Sequence, residues 1–179
     1  MRSILSMMLG SFRLKKSTTM LDLTIDWKGP YALDQVIHNL TDSGDYPGYD
    51  GEDYGLYQIY GEHILGNSDA LLYIGKAPKQ TFSTRFKKHV RWLRREDSPV
   101  RVYVGRIYIP RRHSSADNWA KYEADIGIAE SILIYKYSPH YNGRSVSKAP
   151  SLRPHGRVVL THAGARHRLQ EIDRAPDDL

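Results

Sequence analysis

The sequence predicts a small α/β domain of the α+β kind, held between N-terminal and C-terminal extensions. Three observations predict it. Two short aromatic and aliphatic runs, DYGLYQIYG and ALLYIGK, flank a segment, Glu62–Asp69, that contains Gly66-Asn67, and this suggests an antiparallel pair joined by a long hairpin. A third alternating run, VRVYVGRIYIP, follows a segment of helical period. A longer helical segment then ends at Ser138-Pro139. The order is β-β-α-β-α.

Each element has a local reason. Residues 1–20 read as a loose arm: Ser3 and Ser6 interrupt the apolar positions of MRSILSMMLG and the charged SFRLKK follows, which is unlike a signal peptide. LDLTIDW (21–27) alternates apolar and polar residues and reads as a strand or extended arm. After Gly29-Pro30, YALDQVIHNL (31–40) reads as a short helix with Leu33, Val36, Ile37 and Leu40 on one face. SGDYPGYDGED (43–53) is turn-rich and acidic, a loop that completes an N-terminal arm over residues 1–52.

The domain itself occupies residues 53–143. After its strand pair, Thr81-Phe-Ser-Thr opens a helix to about Arg95, with Thr81 and Ser83 as candidate caps and Phe82, Phe86, Val90 and Leu93 as its core stripe. Residues 100–110 form the third strand, RRHSSADN is a polar loop, and a long helix spans about Asn118–Tyr137. Residues 144–179 are rich in Pro, Gly, Arg and His, and read as an extended basic tail.

Composition removes several classes of function. A chain of 179 residues holds one domain with extensions, or at most two small ones. It has no cysteine, which excludes a disulfide scaffold, a Cys nucleophile and Cys-ligated zinc or iron–sulfur sites, and suits the cytoplasm. No apolar run approaches the roughly 20 residues of a membrane helix. Thirteen Tyr against three Phe suit wet, partly polar surfaces.

The net charge of +6 hides a division along the chain. Asp22 to Glu62 carries nine acids against one base, Lys28. Lys76 to Arg112 carries twelve bases against two acids, Glu96 and Asp97, and Arg144 to Arg168 carries six bases and no acid. Solvated helix faces balanced by an acidic neighbour would account for one basic helix. Three consecutive basic elements favour a surface for a phosphate backbone.

Within this basic region a few residues can carry chemistry. Arg85 and His89 lie four apart and project from one helix face beside the core stripe. Such a pair suits a phosphodiester, where charge builds on non-bridging oxygens; a loose DNA contact and a surface histidine is the competing reading. Glu130 interrupts IGIAESILIY close to the buried stripe of Ile126, Ala129, Leu133 and Ile134. A carboxylate there must pair, bind metal or reach outward to solvent. No other acid lies between Asp125 and Glu171, and a site with one carboxylate suits Mg²⁺, which keeps its waters. Tyr57 and Tyr73 sit on the paired strands, each near a Gly. On strands a Tyr commonly packs, and it acts as a base only where cations such as Lys76, Arg85 or a metal favour the phenolate.

Together, GLY at 55–57, YIG at 73–75, the Arg85/His89 helix, Glu130 and Asn142 resemble the GIY-YIG nuclease superfamily. The likeness spans roughly Tyr54 to Asn142, about half the chain, in the family's order. Leu56 replaces Ile in the first motif, and the separation of Tyr57 from Tyr73 implies an enlarged hairpin. The spacings of Arg85 to His89 and of Glu130 to Asn142 are most similar to the Eco29kI-like restriction endonucleases.

The resemblance implies a small central three-stranded antiparallel sheet flanked by helices. It implies a divalent cation, Mg²⁺ or another such as Mn²⁺, on Glu130. Tyr57 would deprotonate or orient the attacking water, His89 would help take or pass its proton, and Tyr73 would position phosphate or water. Arg85 would stabilise the phosphorane charge. Asn142 would hold water or the Glu130 side of the site. Lys76 would contact phosphate or lower the pKa of a tyrosine.

Outside this set, Lys87, Lys88, Arg91, Arg94 and Arg95 would bind backbone phosphates without reading sequence, with Arg101, Arg106, Arg111 and Arg112 as an extension of the track. His140, His155, His162 and His167 have no metal-ligand spacing and read as solvated. The expected function is a metal-dependent endonuclease acting on double-stranded DNA, of type II restriction or phage-defence kind. A structure-selective repair, recombination or phage nuclease, and a DNA-binding module without catalysis, are the alternatives. Double-strand cutting with one site per chain needs either a homodimer or two sequential nicks.

Overall fold

The computed structural model describes residues 19–38, 55–63, 67–78, 80–96, 98–108, 116–143 and 146–175. The expectations for the arm before residue 19, the acidic loop, and the loop carrying Arg111 and Arg112 lie outside these residues, as do Leu40 and the side chain of Val90.

The strands are β1 (Met20–Ala32), β2 (Gly55–His63), β3 (Asn67–Ala77), β4 (Arg101–Tyr108), β5 (Arg157–Gly164) and β6 (Ile172–Arg174). The helices are α1 (Leu33–His38), α2 (Phe82–Leu93) and α3 (Ala116–Tyr137). All six strands belong to one sheet, ordered β3-β2-β4-β1-β5-β6 and curled into a half-barrel. Every neighbouring pair is antiparallel except β1 and β5, which run parallel from Met20↔Arg157 to Trp27↔Gly164.

This corrects the expected fold, because the three-stranded sheet β3-β2-β4 is half of a larger mixed sheet. The strand or arm at 21–27 is a thirteen-residue strand between β4 and β5. The tail read as extended supplies β5 and β6. Its strand signal is short, with Val158, Leu160 and His162 as the alternating buried positions amid Gly, Arg and His. Its parallel partner is more than a hundred residues away, so no local turn announces the pairing.

The sheet is covered on both faces. On one, α3 packs Ile126, Ala129, Ile132 and Leu133 against Ile25, Trp27, Leu56, Ile74 and Leu160. On the other, α1 and α2 pack Val36, Phe82, Phe86 and Leu93 against Tyr57, Ile59, Leu72, Val102 and Val104. Wholly buried residues such as Ile25 and Leu160 each stabilise the fold by about 1.5–3 kcal/mol.

The start of α2 is the one the sequence marks, whereas α1 begins at Leu33, two residues after the expected Tyr31, and α3 at Ala116, two before Asn118. The Thr84 N–H donates to Thr81 Oγ1 at 3.1 Å, so Thr81 caps α2. Ser83 does a different job: its hydroxyl donates to the Ile37 carbonyl at 2.6 Å and ties α2 to α1. Ser138 N–H closes the last turn of α3 on Ile134 O at 3.0 Å, ahead of Pro139.

The far side of the sheet is held by buried polar groups. Trp27 Nε1 donates to His162 Nδ1 at 2.9 Å, and His162 Nε2 faces Asp173 Oδ2 at 3.2 Å. Asp173 also receives Lys136 and the Tyr137 hydroxyl, which joins β6 to α3. His162 is therefore a core residue and not a solvated one; the His155 side chain is likewise buried, against Asp125. The curl brings the β5–β6 connection back to β3, where His167 and Arg168 meet Asp69 at 2.9 and 3.1 Å.

Candidate active site

A one-residue bulge in β3 sets up the site. Ile59 pairs with Tyr73 and Tyr60 with Leu71, so Leu72 is the extra residue. The extra residue reverses the alternation and leaves Leu72 and Tyr73 on one face, the face of Tyr57 and α2. The Tyr57 and Tyr73 rings then stack with centroids 6.0 Å apart.

The motif glycines make the room. A Cβ on Gly75 would lie 2.4 Å from Tyr57 Cζ and hydroxyl and 2.7 Å from Tyr73 Cε1. One on Gly55 would lie 2.1 Å from the Gly105 carbonyl. Both positions require bare backbone.

From α2, Arg85 and His89 reach the same phenol. Arg85 Nε donates to the Tyr57 hydroxyl at 3.2 Å, and His89 Nε2 lies 2.9 Å from that oxygen. The stacked Tyr73 ring also lies against His89, with ring centroids 5.6 Å apart. Trp92, one turn after His89, donates its indole N–H to His89 Nδ1 at 3.0 Å. Trp92 was not among the residues expected at the site, although its place three residues beyond His89 put it on the same helix flank.

Electrostatics separate the two tyrosines. Tyr57 is wholly buried, and burial pushes its pKa far above the usual phenol value, with Tyr73 adding to the rise and Arg85 opposing it. Tyr73 is only half-buried; burial and then the Glu130 charge raise it, while the Arg85 charge lowers it. Burial, with the Arg85 charge second, pushes His89 down to about 4. At neutral pH His89 is uncharged and Arg85 is the cation of the cluster.

Glu130 approaches from the other side of the edge strand. It projects from α3 and pairs with Lys76 on β3, Oε2 to Nζ at 2.9 Å, with its side chain 17% exposed and that of Lys76 34%. Its charge acts on Tyr57, Tyr73 and Arg85. Lys76 is thus engaged by the carboxylate, and the tyrosine shifts have other causes. Among the described residues no three His, Asp or Glu side chains gather as a metal-binding group. The donor set fits a cation that takes one carboxylate and completes its shell with water, as Mg²⁺ does.

Asn142 stands apart from the cluster of Tyr57, Arg85 and His89. Its Oδ1 accepts from the Ile74 N–H at 2.9 Å and its Nδ2 donates to the Ile74 carbonyl at 2.8 Å. Both ends of the amide are occupied by the β3 backbone, and Tyr141 N–H adds a bond to Leu72 O at 2.8 Å. The expected contact with Glu130 is replaced by a clamp on the outer edge of β3, next to Tyr73.

Lys87, Lys88 and Arg91 are exposed, opposite the Phe82/Phe86 side of α2, and Arg94 and Arg95 are exposed in the turn just beyond its end. Arg85, His89 and Trp92 lie between the apolar and basic stripes, so the cluster borders the basic face. Arg101 does not extend the track, since it pairs with Asp69. Arg106 is only partly exposed, on β4. Among the described residues no helix is long and apolar enough to cross a membrane. No family model, curated protein or solved structure matches the chain.

Proposed function

We propose that the protein is a metal-dependent endonuclease that hydrolyses phosphodiester bonds of double-stranded DNA. The observation that carries this reading is the contact of Arg85, His89, Tyr57 and Tyr73 in one cluster, beside Glu130 and bordered by the basic face of α2. A cytoplasmic protein of the restriction or phage-defence kind fits a cysteine-free chain with this substrate.

In this reading the exposed bases of α2 hold backbone phosphates. Arg85 faces the scissile phosphate and stabilises the charge that builds on its non-bridging oxygens. The phenols orient the attacking water, with half-buried Tyr73 nearer to it than Tyr57. The water oxygen bonds to phosphorus, the bond to the 3′ oxygen breaks, and a proton from water ends on the departing 3′ hydroxyl. Glu130 is the residue that would hold a divalent cation, which would supply Lewis-acid stabilisation of developing charge when bound.

The test is incubation of supercoiled plasmid with the protein, with and without Mg²⁺ or Mn²⁺, followed by mapping of the ends. Metal-dependent nicked or linear product is expected, in discrete bands for a restriction-like enzyme. Intact plasmid with either metal, alongside retained DNA binding, identifies a binding module instead.

A further inference from the structure

We infer that Trp92 is a positioning residue that holds His89 as its Nε2–H tautomer, so that hydrogen bonds run in one direction from Trp92 through His89 to Tyr57. The inference deepens the nuclease reading, in which Tyr73 meets the reacting groups. It rests on what each group can donate.

An indole nitrogen donates and never accepts. With Trp92 Nε1 at 3.0 Å, His89 Nδ1 must therefore be the unprotonated nitrogen. A neutral imidazole then carries its proton on Nε2, and that proton points at the Tyr57 oxygen 2.9 Å away. Arg85 Nε, also a pure donor, reaches the same oxygen at 3.2 Å. The Tyr57 oxygen thus accepts twice, so its own proton is free to be donated away from His89 and Arg85, with the Tyr73 ring stacked beside it.

The consequence is a division of labour between phenols. His89 cannot take a proton from Tyr57 through Nε2, because that nitrogen already holds one. Tyr73, half-buried and stacked beside wholly buried Tyr57, is the phenol with access to solvent. Removing the Trp92 donor frees His89 to adopt the other tautomer, accept from Tyr57 and reverse the chain. The molecule carries the same local device once more: Trp27 Nε1 donates to His162 Nδ1, and His162 Nε2 faces Asp173. There the second partner is a carboxylate in the core; here it is a phenol.

The decisive measurement is ¹⁵N NMR of histidine-labelled protein without DNA or metal, with His89 identified by its loss in His89→Gln. Wild type is expected to show protonated Nε2 and bare Nδ1 at His89. Trp92→Phe, which keeps a ring but loses the N–H, is expected to shift His89 toward protonated Nδ1 while His162 stays unchanged. Tyr57→Phe is expected to leave the His89 tautomer as in wild type, because Trp92 sets it. Protonated Nδ1 in the wild type, or the same His89 tautomer in Trp92→Phe, overturns the inference whether or not the protein cuts DNA. If plasmid is cut, Trp92→Phe should lower kcat roughly ten- to a hundred-fold with little change in KM. That loss should vanish in a His89→Gln background; an equal loss there would mean that Trp92 acts independently of His89.

Discussion

Arg85 Nε donates to the Tyr57 hydroxyl at 3.2 Å, joining α2 to β2 across 28 positions of sequence. Burial disfavours the Arg85 charge, yet Tyr57, Tyr73 and Glu130 more than offset it and hold the group firmly cationic. A cation anchored in this way needs no rearrangement when charge develops on a nearby phosphate.

Arg85→Ala should therefore reduce turnover by about 10²–10³-fold while weakening DNA binding far less. Plasmid cleavage rates beside gel-shift affinities decide the matter. A binding loss larger than the turnover loss would make Arg85 a backbone contact.

Glu130→Gln keeps the shape of the side chain and removes the charge that pairs with Lys76. Cleavage should be abolished at every Mg²⁺ and Mn²⁺ concentration, with DNA affinity retained. Wild-type turnover in this variant would remove Glu130 from the metal-holding role.

Gly75→Ala adds a methyl group where Tyr57 and Tyr73 ring atoms lie 2.4 and 2.7 Å away. Tyr57 is locked against Phe86 with ring centroids 4.7 Å apart, so it cannot retreat. Overpacking of this kind costs about 1–3 kcal/mol. Thermal melting should show a clear drop; an unchanged melting temperature with full cleavage would refute the close approach.

Asn142→Ala tests whether this residue serves the strand or the chemistry. Losing two hydrogen bonds to Ile74 should destabilise the protein by about 1–3 kcal/mol. Below the melting transition, the Mg²⁺ dependence of cleavage should match wild type. A raised Mg²⁺ requirement without loss of stability would return Asn142 to the metal side of the site.

His89 gives a pH signature with a definite sign. Its folded pKa, about 4, lies below the ordinary histidine value of 6.5. Between these values the unfolded chain binds the proton more readily, so stability is lost as pH falls from about 6.5 toward 4, and none of this loss occurs above that window. Arg85 on the same helix, with Tyr57 and Tyr73 facing from β2 and β3, surrounds the ring. Urea unfolding at pH 7 and pH 5 should show a larger loss for wild type than for His89→Gln. Equal losses would show that His89 titrates normally.

Much was legible locally. The order of β2, β3, α2, β4 and α3 follows from periodicity and punctuation, because those signals need only neighbouring residues. The same holds for the Thr81 cap and the Pro139 stop. Arg85 and His89 could be placed on one flank of α2 because helical spacing alone puts them there. The basic face opposite the Phe82/Phe86 side is also a property of one helix.

Other features depend on partners far along the chain. β5 pairs in parallel with β1, and neither run carries a local sign of the other, so the sheet was expected at half its width. The Leu72 bulge, which places Tyr73 beside Tyr57, is a matter of register between strands. Burial of Tyr57, the engagement of Lys76 by Glu130 and the capture of Asn142 by Ile74 are decided only when the layers close. By itself the sequence determined which residue types face one another along each element and the charge they carry. Tertiary structure decided which of them meet and in which protonation state, because hydrogen bonding and desolvation depend on surroundings that distant segments supply.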